Sequence, residues 1–157
     1  PCPCGNAAGR GERCTCSSLQ VRRYFSRISG PLLDRIDLQI EVLPVTALDV
    51  AERNRAEATT VVAARVAQAR GAAAERLGQT PWRRKAEGKG AWLRDVLGRG
   101  SGAVREVSQA VESGALTLRG ADRVLRVAWT LADLAGATSP QTDHVFAAVV
   151  LRTRGTS

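Results

Sequence analysis

The sequence contains no methionine, a single histidine and few aromatic side chains. Phe, Tyr and Trp make up 4% of its 157 residues, whereas apolar residues of all kinds make up 44%. A core is therefore expected, but one built from Ala, Val and Leu, as is typical of packed helices. No apolar run approaches the roughly 18 residues that span a bilayer, so no membrane partner is predicted. The chain carries no visible secretion signal. It opens on Pro1 rather than on methionine, which predicts a fragment excised from a longer protein.

Two catalytic signatures are also missing from the sequence. It has no glycine-rich phosphate loop followed by Lys and Ser or Thr, and no nucleophile elbow. The chain alone is therefore not expected to bind ATP in the manner of a P-loop protein. His144 lies far in sequence from the cysteines, so a structural or exposed position is predicted for it.

All four cysteines fall near the start of the chain, as two Cys-x-Cys pairs separated by nine residues: Cys2, Cys4, Cys14 and Cys16. The loop between the pairs has no apolar periodicity and so no core to fold around. Four thiolates that converge on one Zn²⁺ fold such a loop, because the free energy of metal binding becomes free energy of folding. The more common zinc spacing is Cys-x₂-Cys, so a disulfide framework and four free thiols stay open as alternatives. A disulfide is disfavoured, since a bridge within Cys-x-Cys is strained and nothing indicates export.

The net charge of +8 is concentrated in the middle of the chain, where residues 51–100 carry eleven basic and five acidic side chains. A basic zone suits nucleic acid or another polyanion, although a solvated helix face has the same pattern. Within the zone, Trp82, Arg83, Arg84 and Lys85 join an aromatic ring to three cations. Such a loop can contact a phosphate backbone and stack on a base. The alternative, which we favour, is that Trp82 covers a hydrophobic edge while the cations are solvated.

Residues 29–42 combine a tight turn, an arginine between two aspartates and the one convincing strand pattern. The arginine is Arg35. Residues 36–42 alternate between apolar and polar side chains, which predicts a β-strand with one buried face. One strand is not stable alone, so we expect it to belong to an α/β domain whose other strands lie upstream.

Helical patterns fill most of the remaining sequence. Arg119 is anomalous within them, because a cation in the first turn of a helix opposes the macrodipole at a cost of a few tenths of a kcal/mol. A nucleotide phosphate or a neighbouring carboxylate offsets such a cost. Capping residues, glycine stops and 3–4 spacing predict helices over residues 17–28, 51–77, 91–97, 101–113, 117–135 and 139–152.

Several of these segments resemble one family. They are Pro-Cys-Pro-Cys-Gly at 1–5, Cys-Thr-Cys at 14–16, Arg-Ile-Ser-Gly-Pro-Leu-Leu-Asp-Arg-Ile-Asp-Leu at 27–38, Leu-Arg-Val-Ala at 125–128 and Thr-Leu-Ala-Asp-Leu at 130–134. Together they are similar to the C-terminal part of magnesium-chelatase-like AAA+ proteins of the YifB/ComM type. The resemblance covers nearly the whole chain and is weakest over residues 71–100.

The resemblance implies a bacterial cytoplasmic ATPase that assembles as a hexameric ring of identical subunits and uses ATP and Mg²⁺. Arg35 falls at the arginine finger of the family, which reaches the γ-phosphate of ATP held by the neighbouring subunit. Arg119 falls at the sensor-2 arginine, at the start of a lid helix. The P-loop, the Mg²⁺-binding acidic motif and the sensor-1 Asn lie upstream in the family. This fragment is therefore expected not to hydrolyse ATP by itself.

The ComM branch of the family is associated with DNA branch migration, and the Cys-bearing loop is characteristic of that branch, so DNA is the partner that the resemblance favours. The alternatives are a motor subunit of a magnesium-chelatase-type metal insertion complex and a stand-alone zinc-dependent DNA-binding module. The expected fold is mainly α. It has a four-cysteine loop, a short helix and one strand from the edge of an AAA+ core over residues 1–44, followed by a helical lid over residues 45–157.

Overall fold

A computed structural model describes residues 2–7, 13–40, 42, 45–51, 57–78, 80–83, 87–88, 90–98 and 100–153. The described residues are mainly helical, as the sequence predicts. The helices are α1 (Ser18–Phe25), α2 (Gly30–Leu33), α3 (Ala47–Ala51), α4 (Thr59–Leu77), α5 (Gly90–Leu97), α6 (Gly102–Glu112), α7 (Leu118–Leu134) and α8 (Thr142–Thr153).

The chain divides into two compact units. The first, which we call the cysteine unit, comprises Pro1–Ile36 and Ile40–Ala56. The second, which we call the helical unit, comprises Asp37–Gln39 and Glu57–Ser157. The sequence-based division at residue 44 concerns the domains of the intact protein and stays a prediction.

Local capping explains where α1 and α3 of the cysteine unit begin. Ser17 and Gln20 form a reciprocal capping box at the start of α1, in which the Ser17 hydroxyl accepts from the Gln20 backbone N–H and the Gln20 side chain accepts from the Ser17 N–H. The backbone N–H and hydroxyl of Thr46 both donate to one carboxylate oxygen of Asp49 at 2.7 Å, at the start of α3. The predicted long helix over residues 51–77 is instead α3 followed by α4, and residues 52–56 lie outside the described part of the chain.

The helical unit is arranged around α7, which contacts α4, α5, α6 and α8. Ser101 and Thr117 cap α6 and α7 through their hydroxyls, and positive φ angles of 76° and 68° at Gly114 and Gly136 follow the ends of these helices. The core consists of small and branched side chains: Ala103, Val107, Leu116, Ala121, Val124, Leu125, Ala128, Val145 and Ala148.

The predicted strand is absent from the described residues. Residues 36–40 and 42 are extended or bent without a ladder, and the apolar side chains of Ile36, Leu38 and Ile40 are exposed. The N–H of Gln39 donates to the carbonyl of Leu151 in α8 at 2.7 Å. The alternating pattern is real, but it does not form a strand without a partner to complete its backbone hydrogen bonds.

No helix among the described residues combines the length and apolar character needed to cross a bilayer.

Candidate metal centre and arginine sites

The four cysteines converge on one point at the start of the chain. The sulfur atoms of Cys2, Cys4, Cys14 and Cys16 all lie within 4.8 Å of one another. The Sγ–Sγ distances are 3.2 Å between Cys2 and Cys4, 3.6 Å between Cys2 and Cys14, and 3.8 Å between Cys4 and Cys14. All four are free cysteines.

These distances fit a tetrahedral metal centre. With Zn–S bonds of about 2.3 Å, the sulfurs of a Zn(Cys)₄ site lie about 3.8 Å apart. A disulfide requires two sulfurs at about 2.04 Å, which no pair here approaches. The cluster therefore has the ligand number, ligand chemistry and spacing of a structural metal site.

Two short backbone features bring the cysteine pairs together. The first pair forms a tight turn, in which the Gly5 N–H donates to the carbonyl of Cys2 at 3.1 Å and Gly5 adopts a φ of 77°. The second pair is extended and leads directly into the capped start of α1. Residues 8–12, between the pairs, lie outside the described part of the chain.

The Cys2 thiol is the one best prepared to act as a ligand. Its pKa is lowered to about 6, chiefly because the Cys4 thiol donates a hydrogen bond to it. Metals bind the thiolate rather than the thiol.

Arg35 lies one residue beyond the C-cap of α2 and is exposed. Its Nη1 donates to the carbonyl of Pro31 at 2.8 Å. Among the described residues no carboxylate forms an ion pair with Arg35, although an aspartate precedes it and Asp37 follows it closely. Asp37 instead pairs with Arg123 in α7. Arg35 is thus exposed, and no carboxylate of the described residues compensates its charge.

Arg119 occupies the first turn of α7, which contains no acidic side chain. It is exposed, and Thr117 caps the helix immediately before it. The first turn therefore combines the positive end of the helix dipole with a cation, an arrangement that favours an anion.

The two halves of the predicted nucleic-acid loop differ. Trp82 is half-buried and packs edge-to-face on Trp92 with ring centroids 5.1 Å apart, whereas Arg83 is exposed. Arg84 and Lys85 lie outside the described residues. The indole of Trp82 therefore makes the kind of apolar contact that the alternative interpretation expected.

Sequence reasoning did not find the ion pair between Arg123 and Asp37. The two residues are separated by 86 positions, and no helix or strand periodicity relates positions so far apart. The sequence offered one local signal, Asp37, which lies two residues after Arg35. Asp37 pairs with Arg123 and not with Arg35, its nearest arginine in sequence.

Comparisons with known proteins place the chain within one family. The model of the C-terminal part of magnesium chelatase subunit ChlI matches residues 56–152, and the model of magnesium chelatase subunit ChlI matches residues 1–50. An uncharacterized protein of Mycobacterium tuberculosis (strain ATCC 25618 / H37Rv) is 44% identical over 157 residues, which is 99% of this chain and 30% of the relative.

Two further relatives have names. The uncharacterized protein YifB of Salmonella typhimurium is 31% identical over 153 residues, 97% of this chain and 29% of the relative. The competence protein ComM of Haemophilus influenzae is 33% identical over 144 residues, 87% of this chain and 26% of the relative. The chain thus spans less than a third of the length of these relatives.

Proposed function

The chain belongs to the magnesium chelatase subunit ChlI family, and on that premise we propose that it is the C-terminal part of a ring-forming AAA+ ATPase that acts on DNA. In this proposal the P-loop and the Mg²⁺ ligands belong to the longer protein. The described chain contributes a metal-bound cysteine loop, an arginine finger and a nucleotide-sensing arginine. By itself it does not hydrolyse ATP.

The observation that carries the proposal is the state of Arg35. Its guanidinium is exposed, hydrogen-bonded to a backbone carbonyl and without a carboxylate partner among the described residues. Such a group can approach the γ-phosphate of ATP bound by a neighbouring subunit and stabilise the charge that spreads over its oxygens as the bond to the leaving group breaks. The site is then complete only in the assembled ring, which we propose to be hexameric.

Arg119 is proposed as the nucleotide sensor. A phosphate near the start of α7 offsets the electrostatic cost of a cation there and binds to the positive end of the helix dipole. Loss of the phosphate removes that interaction, so the position of α7 depends on the nucleotide state.

A DNA substrate is supported by charge and by one relative. The chain has a net charge of +8, with the excess concentrated in residues 51–100, and a competence protein is among its relatives. In this proposal Arg83, Arg84 and Lys85 contribute phosphate contacts, whereas Trp82 supports the loop through Trp92. Binding of this kind weakens steeply with salt, since each phosphate contact releases counterions.

The four cysteines are proposed to hold Zn²⁺. Their spacing and free thiols fit the ion. The ion supplies folding free energy to the loop, and no chemical step of ATP hydrolysis depends on it.

Arg35→Ala in the intact protein tests the central assignment. We expect ATP binding to be retained and turnover to fall by about 10³–10⁵, the effect of losing an arginine finger in well-studied NTPases. Binding and steady-state hydrolysis are measured on the same assembled preparation. Arg27→Ala, at another exposed arginine of the cysteine unit, is the matched control and should retain turnover. Near-normal turnover of Arg35→Ala would defeat the assignment.

A second candidate follows from the name of the matching family models. A chelatase motor couples ATP hydrolysis to metal insertion into a tetrapyrrole, so the family name favours that role as an alternative. The two candidates differ in what stimulates turnover. DNA raises the ATPase rate of the intact protein under the first proposal and leaves it unchanged under the second.

A further inference from the structure

A groove of about 770 Å³ lies between α4 and α7 within the helical unit. Its α4 side is formed by Arg70, Ala73, Ala74 and Leu77, which lie at i, i+3, i+4 and i+7 and therefore share one face of the helix. Its α7 side includes Arg126 and Val127. None of these residues belongs to the metal centre or to the arginine sites of the proposed ATPase.

The floor of the groove is apolar and made of small side chains. Leu77 is buried, Ala73 and Val127 are half-buried, and Ala74 is exposed. The two alanines on the α4 side leave room that larger side chains would fill. The groove is thus a preformed channel along a helix pair, which is the shape that receives the apolar face of a further helix.

The rim of the groove carries uncompensated positive charge. Arg70 and Arg83 both line it, and neither guanidinium forms an ion pair among the described residues. Arg126 donates from Nη2 to the uncharged carbonyl of Gly88 at 2.8 Å, so this contact does not compensate its positive charge. The acidic side chain at this edge, Asp37, is already paired with Arg123.

We propose that this groove binds an amphipathic helix from a partner protein, with leucine-like side chains on the apolar floor and carboxylates against Arg70 and Arg83. The charge pattern selects an acidic partner. Nucleic acid would engage only the cations of the rim, among them Arg83, and would leave the apolar floor unoccupied, so it is disfavoured as the occupant.

Isothermal titration calorimetry on the intact protein tests the proposal. The probe is a capped helical peptide of roughly 16 residues, long enough to form a helix, with leucines along one face and glutamates flanking them. The matched probe replaces every glutamate with lysine. We expect saturable binding of the acidic peptide that weakens as salt is raised, and no binding of the basic one.

Variants locate the binding site. Ala74→Trp fills the exposed part of the floor and should weaken the acidic peptide by about tenfold or more. Arg70→Glu combined with Arg83→Glu should weaken it by roughly tenfold through loss and reversal of two rim charges. Arg105→Glu makes the same charge change at an exposed position of α6, outside the groove, and should leave affinity unchanged. Circular dichroism establishes that each variant is folded.

Two outcomes would overturn the proposal: the absence of saturable binding to the wild-type protein, and equal affinity of the wild type and both groove variants for the acidic peptide. A third is loss of binding to a short DNA duplex, with the acidic peptide still bound, in an Arg70→Glu single variant. Arg83, a proposed phosphate contact, is unchanged in that variant, so this result would assign the groove to nucleic acid. Turnover of ATP plays no part in the measurement, so the result is independent of the Arg35 assignment.

Discussion

Each of the two units of this chain is stabilised internally by a different kind of interaction. In the helical unit, α6, α7 and α8 enclose side chains that are almost completely buried, among them Leu125 and Ala128 at 0% exposure. In the described part of the cysteine unit, the one buried apolar residue is Cys2. Leu19, Phe25 and Ile28 of the same unit are each about half exposed or more.

The difference shows that a segment can form a helix without contributing buried side chains to a core. Helix α1 has a complete capping box, yet none of its residues is buried. Burial of a Leu or Phe side chain contributes roughly 1.5–3 kcal/mol, and α1 gains little of it within the cysteine unit. The helical unit is stabilised by burial, whereas the cysteine unit depends on local capping and on the thiol cluster.

The largest expected effect is on the metal centre. Cys14→Ser removes one of four ligands, and structural zinc contributes about 10–16 kcal/mol of apparent free energy, so we expect loss of bound zinc. Zinc content is measured by mass spectrometry, and amide hydrogen exchange reports on residues 2–7 and 13–17. Exchange there should become fast while residues 102–152 stay protected.

Thr15→Ser is the matched control, since it changes the residue between two ligands without touching a thiol. Full zinc occupancy of Cys14→Ser would show that the cluster does not bind metal through all four cysteines.

The next effect belongs to the core of the helical unit. Leu125→Ala leaves a cavity at a fully buried position and should lower the free energy of unfolding by about 2–5 kcal/mol. Leu118→Ala, in the same helix but at 72% exposure, should change it by less than about 0.5 kcal/mol. Urea denaturation measures both. Equal effects would remove the distinction between a stabilising core and an exposed helix face.

A smaller effect is expected where α5 meets α7. A Cβ added at Gly90 would clash with the carboxylate of Asp122, which pairs with Arg94. Gly90→Ala should therefore cost roughly 1–3 kcal/mol, as overpacking does. Gly71→Ala, in open space inside α4, should instead stabilise by about 0.5–1 kcal/mol. Thermal unfolding of the two variants distinguishes them, and a shift of both in the same direction would contradict the expected clash.

The smallest effect concerns the cap of α1. Ser17→Ala removes the hydroxyl that accepts from the Gln20 N–H and should cost about 1 kcal/mol of local stability. Ser18→Ala, one position later and inside the helix, is the control and should have little effect. Hydrogen exchange of the α1 amides measures both. If the two variants behave alike, the capping box is not what defines the start of the helix.

Helices were predictable where their ends carry strong local signals. The Ser101 and Thr117 hydroxyls accept from backbone N–H groups three residues on, at 3.3 and 2.9 Å, which confirms the predicted caps of α6 and α7. The start of α8 was placed too early, at residue 139 instead of Thr142. There His144 Nδ1 accepts from the Gln141 N–H at 3.0 Å, which confirms a structural role for the single histidine.

Tertiary features were less predictable, because they depend on the register of packing. Phe146 directly follows the buried Val145 in sequence, yet it is 69% exposed. Adjacent residues of a helix point about 100° apart, and the buried face of α8 follows Val145 and Ala148. The strand prediction was wrong for a different reason, since a period-two pattern cannot supply the neighbouring strands that it needs.

The candidate sites also differ in whether they depend on local sequence or on tertiary packing. The cysteine cluster was predictable because all four ligands lie within a short stretch of sequence and share one chemistry. The groove between α4 and α7 was not, since it exists only when Arg70 and Arg126 are brought together by packing. The roles of Arg35 and Arg119 stay predictions from the family resemblance.

The assignment of Asp37–Gln39 to the helical unit affects how the chain can be dissected. A recombinant fragment that starts at Glu57 contains every described helix of that unit, but it lacks the carboxylate that pairs with Arg123 and the N–H that donates to the Leu151 carbonyl. Arg123 Nε is already buried without a hydrogen-bond partner within the described residues. Such a truncation would therefore leave an incompletely neutralised guanidinium on α7, and a faithful minimal fragment has to begin before residue 37.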